Sequence, residues 1–136
     1  EGRRLKLTLG VGLGGTRAGA GADWAGMARI GVSVGRDHRL GRGGWWTIAA
    51  AVEADEATPL PLARIDANFG LGLTPRLKGL VQVEGSTRDS ADAQVALIPG
   101  VIWRLGPRMR LHLGVEARAT RTSRQAGLRA GIWRDF

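Results

Sequence analysis

The sequence predicts an all-β domain, an antiparallel up-and-down barrel of eight strands with a polar interior. Three observations carry that prediction. Apolar residues recur at every second position through most of the 136 residues, the period of a strand with two unlike faces. Glycines, 22 in all, interrupt each window in which a helix might be sought, at a cost of roughly 1 kcal/mol apiece in a helix interior. Short stretches rich in Gly, Pro and polar residues separate the alternating runs, as turns do between successive strands. The length supports one domain, residues 1–136.

Eight segments follow in order. The first, 4–14, sets Leu5, Leu7, Leu9, Val11 and Leu13 against Lys6, Thr8, Gly10 and Gly12. A small-residue loop, 14–23, leads to the second, 24–35, where Ala28, Ile30, Val32 and Val34 oppose Arg29, Gly31, Ser33 and Gly35. After a polar and glycine-rich turn at 36–43, the third segment, 45–54, places Trp46, Ile48, Ala50 and Val52 opposite Thr47 and Glu53. Two prolines in 55–61 are expected to end that strand. The fourth segment, 62–73, alternates cleanly, with Ala63, Ile65, Ala67, Phe69 and Leu71 against Arg64, Asp66, Asn68 and Gly70.

Thr74-Pro75-Arg76 is a tight turn into the fifth segment, 77–86, which sets Leu77, Val81 and Val83 against Lys78, Gln82 and Glu84. The sixth, 93–105, is less regular. Ile98 and Ile102 fall on the face opposite Val95, Leu97, Val101 and Trp103, and Pro99 predicts a bulge or a break in the ladder. The seventh, 109–119, is strict: Met109, Leu111, Leu113, Val115, Ala117 and Ala119 oppose Arg110, His112, Gly114, Glu116 and Arg118. A polar loop at 120–125 precedes the eighth, which runs to Phe136. The connections at 74–76 and 106–108 are short, whereas 55–61, 87–92 and 120–125 are longer and polar, the asymmetry of membrane barrels with short periplasmic turns. A weak repeat of 32 residues relates Leu73-Thr74-Pro75-Arg76-Leu77-Lys78 to Leu105-Gly106-Pro107-Arg108-Met109-Arg110. Val83-Glu84-Gly85 and Val115-Glu116-Ala117 then follow at equal offsets, as a hairpin unit repeated around a barrel would give.

Alternation does not itself say which face is inside. A soluble, lipocalin-type barrel would bury the apolar face around a ligand, and a membrane barrel would do the reverse. The apolar face is nearly free of charge, with Arg134 an exception near the rim, while the other mixes charge with many glycines. That favours a polar lumen. The segments are about 11 residues long, enough for a tilted strand to cross a bilayer. Hydrophobic content is 43%, yet no run approaches the ~18 uninterrupted apolar residues of a membrane helix. With Phe136 closing an alternating strand and Trp133 beside it, the chain resembles Gram-negative outer-membrane β-barrels. The resemblance implies insertion in the outer membrane, contact with its lipid and lipopolysaccharide, and recognition of Phe136 by the barrel-assembly machinery. Trp24, Trp46, Trp103, Trp133 and Phe136 would then form the interfacial aromatic girdle. Glu1-Gly2-Arg3-Arg4 leads directly into a strand pattern, which reads as a chain whose leader has been removed or as part of a longer protein.

The candidate site is a lumenal charge network. Glu53, Glu84 and Glu116 share the inward face at similar heights, with Arg64, Arg118 and Arg129 on neighbouring strands. A buried carboxylate without a cation is costly, so salt bridging is expected. His112 shares that face and could meet Ser33, but the His-x-Ser spacing of outer-membrane lipid A deacylases is absent, as is a Ser-centred elbow. Two separated histidines and no cysteine give no metal site, and no cofactor motif is present. His38 is expected to be solvated in a turn. The net charge of +8 fits lumenal and loop arginines or attraction to lipopolysaccharide phosphates. It does not indicate nucleic acid, because the basic residues are dispersed and no binding motif accompanies them. The expected function is that of a monomeric, non-enzymatic barrel plugged by side chains, structural or surface-interacting. The alternatives are the C-terminal part of a larger, porin-like transport or export barrel, and a soluble ligand-binding barrel.

Overall fold

The computed structural model describes residues 4–17, 24–56, 58–89 and 92–134. Eight strands follow one another: β1 (Lys6–Arg17), β2 (Trp24–His38), β3 (Gly44–Asp55), β4 (Thr58–Gly72), β5 (Leu77–Thr87), β6 (Gln94–Arg104), β7 (Met109–Thr120) and β8 (Arg124–Arg134). Each pairs antiparallel with the next, in the order β1-β2-β3-β4-β5-β6-β7-β8. The all-β, up-and-down reading holds, and no helix occurs among the described residues. Closure does not hold. The sheet is open, and β1 and β8 each pair on one side only. A Cβ built at Gly10 in β1, or at Gly127 or Gly131 in β8, would meet nothing within 4 Å. Strand periodicity reports faces, whereas closure depends on tilt and shear, which periodicity does not encode.

The sheet curls with its polar face inward. Arg129 on β8 contacts Glu84 on β5 at 2.6 Å, although three steps of about 4.8 Å separate those strands across a flat sheet. Ile98 is fully buried within this single layer, which requires the sheet to fold over it. Around Ile98 on the same inner face lie buried Ala51, Leu80, Ala96, Ile102 and His112. Leu9, Val11, Ile30, Ile65, Val95, Val115 and Leu128 point the other way and are exposed. Among the described residues, charge on that outer face is confined to strand ends, at Arg36, Arg124 and Arg134.

The strands extend further than the alternation indicated, at the expense of the loops. β4 begins at Thr58, so only positions 56 and 57 separate it from β3, where a long loop at 55–61 was expected. Pro59 and Pro61 are tolerated because β4 there outruns β5, whose pairing starts at Ala63↔Thr87, and because the register to β3 shifts between Glu53 and Asp55. The loop expected at 120–125 shrinks to 121–123, with Thr120 N–H donating to the Ser123 carbonyl at 2.9 Å. The difference in connection length between the two ends therefore disappears: 39–43, 73–76 and 105–108 at one, 18–23, 56–57, 88–93 and 121–123 at the other.

At Pro99 the ladder to β7 breaks between Leu97↔Ala117 and Gly100↔Gly114 without a change of register, so there is no bulge. The missing N–H falls on that side, since the Pro99 carbonyl also faces β7. The repeat has a structural counterpart. Leu73 and Thr74 N–H both donate to the Leu77 carbonyl, and Leu105 and Gly106 N–H both donate to that of Met109.

Candidate functional site

The inner face carries three tiers of side chains. Farthest from the 73–76 and 105–108 turns lies the ion-pair tier. Arg129 is its node: Nη1 donates to Glu84 Oε1 at 2.6 Å, and Nη2 donates to Glu116 Oε2 at 2.8 Å. Glu116 Oε1 also accepts from Arg118 Nε at 2.7 Å, and Arg118 Nη1 reaches Gln94 Oε1 at 3.2 Å. The planar fork of Arg129 suits two carboxylates at once, which an ammonium could not match. Glu84, Glu116, Arg118 and Arg129 thus come together as the inward face of 77–86, 109–119 and the final run implied.

Glu53 stands apart from that cluster. Its partner is Arg29, directly opposite in the β2–β3 register, with Nη1 and Oε1 at 3.0 Å. Arg64, the partner expected from sequence, also forms an ion pair with Glu53, a longer one of 3.9 Å between Nε and Oε1, without a hydrogen bond. Arg29 could have been found by placing it on the face shared with Gly31 and Ser33. Asp66 was also missed. It sits directly opposite Glu84 in the β4–β5 register, and its Oδ1 has no hydrogen-bond partner. Like charges across a non-local pair oppose each other, and Glu84 turns instead to Arg129.

The middle tier is an amide ladder beside the small apolar core. Gln82 Nε2 donates to Asn68 Oδ1 at 2.8 Å, and Asn68 Nδ2 donates to Thr47 Oγ1 at 3.1 Å. These three residues face one another across β3, β4 and β5. His112 lies in this tier, and its ring packs against Trp133 with centroids 5.9 Å apart. Its Nε2 has no hydrogen-bond partner, so no nucleophile–base pair with Ser33 is formed.

The third tier, near the tight turns, is a basin of about 840 Å³. Arg42, Arg76, Lys78, Arg104 and Arg110 line it with Asp37, Trp45, Ile102 and Trp133. The Trp45 indole lies flat over Gly70, where a Cβ would come within 2.3 Å of the ring. Lys78 Nζ sits 5.0 Å from the Trp45 ring centroid, a cation–π approach. Trp45 and Trp133 therefore belong to the inner face. This corrects the assignment of Trp133 to an outward girdle, and the parity of 129, 131 and 133 with Arg129 already contained the answer. Trp46 and Trp103 do share the outward parity. The side chain of Trp24, and Phe136 altogether, lie outside the described residues.

His38 is likewise not a solvated turn residue. It ends β2, stacks on Phe69 with centroids 4.8 Å apart, and spans to β4 through Nε2 and the Gly70 carbonyl at 3.1 Å. Leu40 N–H donates to its Nδ1 at 3.3 Å, which leaves the ring proton on Nε2 to donate to Gly70. Compared with protein-family models, with curated proteins and with solved structures, the chain matches none.

Proposed function

We propose that this chain forms wall strands of a bacterial outer-membrane β-barrel whose charged inner face lines a water-filled path for solutes. The observation that carries the reading is the inverted polarity of the curled sheet. Apolar side chains of all eight strands are turned to the surroundings, and the ion pairs are sheltered. Soluble monomers rarely expose a continuous apolar face of more than a few hundred Å², whereas lipid is the natural neighbour of such a face. In hydrocarbon the backbone groups of β1 and β8 would also need partners. Their open edges favour completion by further antiparallel strands, hence a lumen wider than eight strands enclose. The chain is read as non-enzymatic, with lipid and lipopolysaccharide against its outer face.

A lumen filled by side chains is the second reading, because the Glu84–Arg129 contact already crosses much of the inner face. Planar-bilayer recording separates the two. A wide path predicts steady single-channel conductance after insertion from detergent, and a plugged barrel predicts insertion with electrical silence. Failure to bind detergent or lipid at all would end both.

A further inference from the structure

We propose that the Glu84–Arg129 pair is a latch. It holds the edge strand β8 curled over the inner face, and its release lets β8 swing outward and widens the lumen. The widening serves solutes only on the pore reading above, on which that consequence rests, whereas the latch itself does not depend on it. Among the described residues, β8 pairs through its backbone with β7 alone. A ladder to one neighbour fixes strand order but leaves the angle between the two strands soft, since twist varies widely from pair to pair. The outer face of β8 adds no hold, with Leu128 90% and Ile132 67% exposed.

On the inner face Arg129 stands in a clearing. Gly127 and Gly131 flank it along β8, where a Cβ would meet nothing within 4 Å, and Gly114 lies directly opposite on β7. From that clearing the guanidinium crosses to β5 and binds Glu84 through both terminal nitrogens, Nη1 at 2.6 Å and Nη2 at 3.3 Å. Nη2 also donates to Glu116 on β7 at 2.8 Å. The Glu116 bond stays within the β7–β8 hairpin, as does the contact of Trp133 with His112. The two bonds to Glu84 leave the hairpin and set the curl. A bidentate pair is directional as well as strong, so it fixes the orientation of β8 over β5 and not merely its distance. Release leaves Arg129 on Glu116, so no bare guanidinium results. Asp66, directly opposite Glu84, repels that carboxylate and drives it back toward Arg129. The other edge is built differently, because Lys6 of β1 pairs with Asp37 on the adjacent strand β2.

The chain contains no cysteine, so introduced thiols are unique. Spin labels on Val83→Cys with Leu128→Cys, both on the outer face, report the separation of β5 and β8 in the detergent-folded protein. With Arg129 in place, one short, narrow distance is expected. Arg129→Gln should lengthen and broaden it, while a Val11→Cys with Val83→Cys pair, which reports β1, should not change. An unchanged β5–β8 distance would overturn the latch. So would an equal change at β1, since the whole sheet would then have loosened. If Arg129→Gln does not fold, Arg129→Lys keeps the charge without the planar fork and carries the same comparison at smaller amplitude. In planar bilayers, Glu84→Cys with Arg129→Cys should pass several-fold more current than the unsubstituted protein. Joining the two thiols with a short bis-methanethiosulfonate should abolish that gain, and reductant should restore it. Equal closure of Arg129→Cys alone by the reagent would overturn the latch, because bulk rather than a tether would then block the path. Current that ignores the tether would also overturn it and leave the pore intact. A distance change with electrical silence in every variant would sustain the latch and defeat the pore.

Discussion

The ion-pair tier and the basic basin are built on the same strands, from nearly the same residue types, and end in opposite electrostatic states. On β5, Lys78 stands in the basin and Glu84 in the tier, and on β7 Arg110 and Glu116 are divided likewise. Six residues of extended chain separate each pair, roughly 20 Å at ~3.4 Å per residue. That exceeds the Debye length of about 8 Å at physiological ionic strength, so the two regions act almost independently. In the tier, charges are matched one against another, and the product is cohesion. In the basin Arg42, Arg76, Lys78 and Arg104 outnumber the one carboxylate among the described lining residues, Asp37, and the product is a positive field. Charge on the inner face is thus structural where it is matched one to one and a source of field where one sign is in excess.

The sharpest way to break this comparison is Arg129→Ala. It removes the cation on which Glu84 relies and one of the two that hold Glu116. Breaking a buried pair from one side costs ~3–5 kcal/mol and an exposed pair ~0–1. Arg129 and Glu84 are half-buried, so a loss of about 2–3 kcal/mol in urea unfolding from detergent is expected. Adding Glu84→Gln should restore part of it. No loss would mean that the tier is fully solvated and that the division between cohesion and field is wrong.

Glu116→Ala should cost less, about 1–2 kcal/mol, because Arg129 keeps Glu84 and Arg118 keeps Gln94. A cost equal to that of Arg129→Ala would move the node from the arginine to the glutamate. Salt sharpens the comparison from the other side. Raising ionic strength from 0.05 to 0.5 M should change unfolding stability by less than ~1 kcal/mol, because the short, half-buried pairs of the tier are screened far less than exposed ones. Smallest of all, Arg76→Gln and Arg121→Ala should each alter stability by no more than ~0.5 kcal/mol, as exposed surface substitutions do. A larger loss at Arg76 would mark the basin rim as structural.

The site was partly legible because strand parity places side chains on faces without any knowledge of tertiary contacts. Glu84, Glu116, Arg118 and Arg129 were found that way, and the same parity would have yielded Arg29 and moved Trp133 inward. The basin was not legible. Its residues come from seven strands and two turns, and only curling brings Arg42 near Arg110 and Trp133. Loop lengths were misjudged at 55–61 because proline usually ends a strand. That rule assumes a partner on both sides, and β4 there lacks β5.

Composition and period by themselves determined that this chain is all-β, that it has eight strands, and that each strand has one apolar and one polar face. Those properties follow from local sterics and from the two-residue repeat, which hold before any long-range contact forms. Tertiary structure decided what periodicity does not encode. It left the outer edges of β1 and β8 unpaired, turned the polar face inward, and made Arg129 the node between Glu84 and Glu116. Curvature, register across several strands and the reach of a long side chain are set jointly by residues far apart in sequence. For that reason Glu84 met its partner 45 positions away while Asp66, directly opposite on the next strand, did not become one.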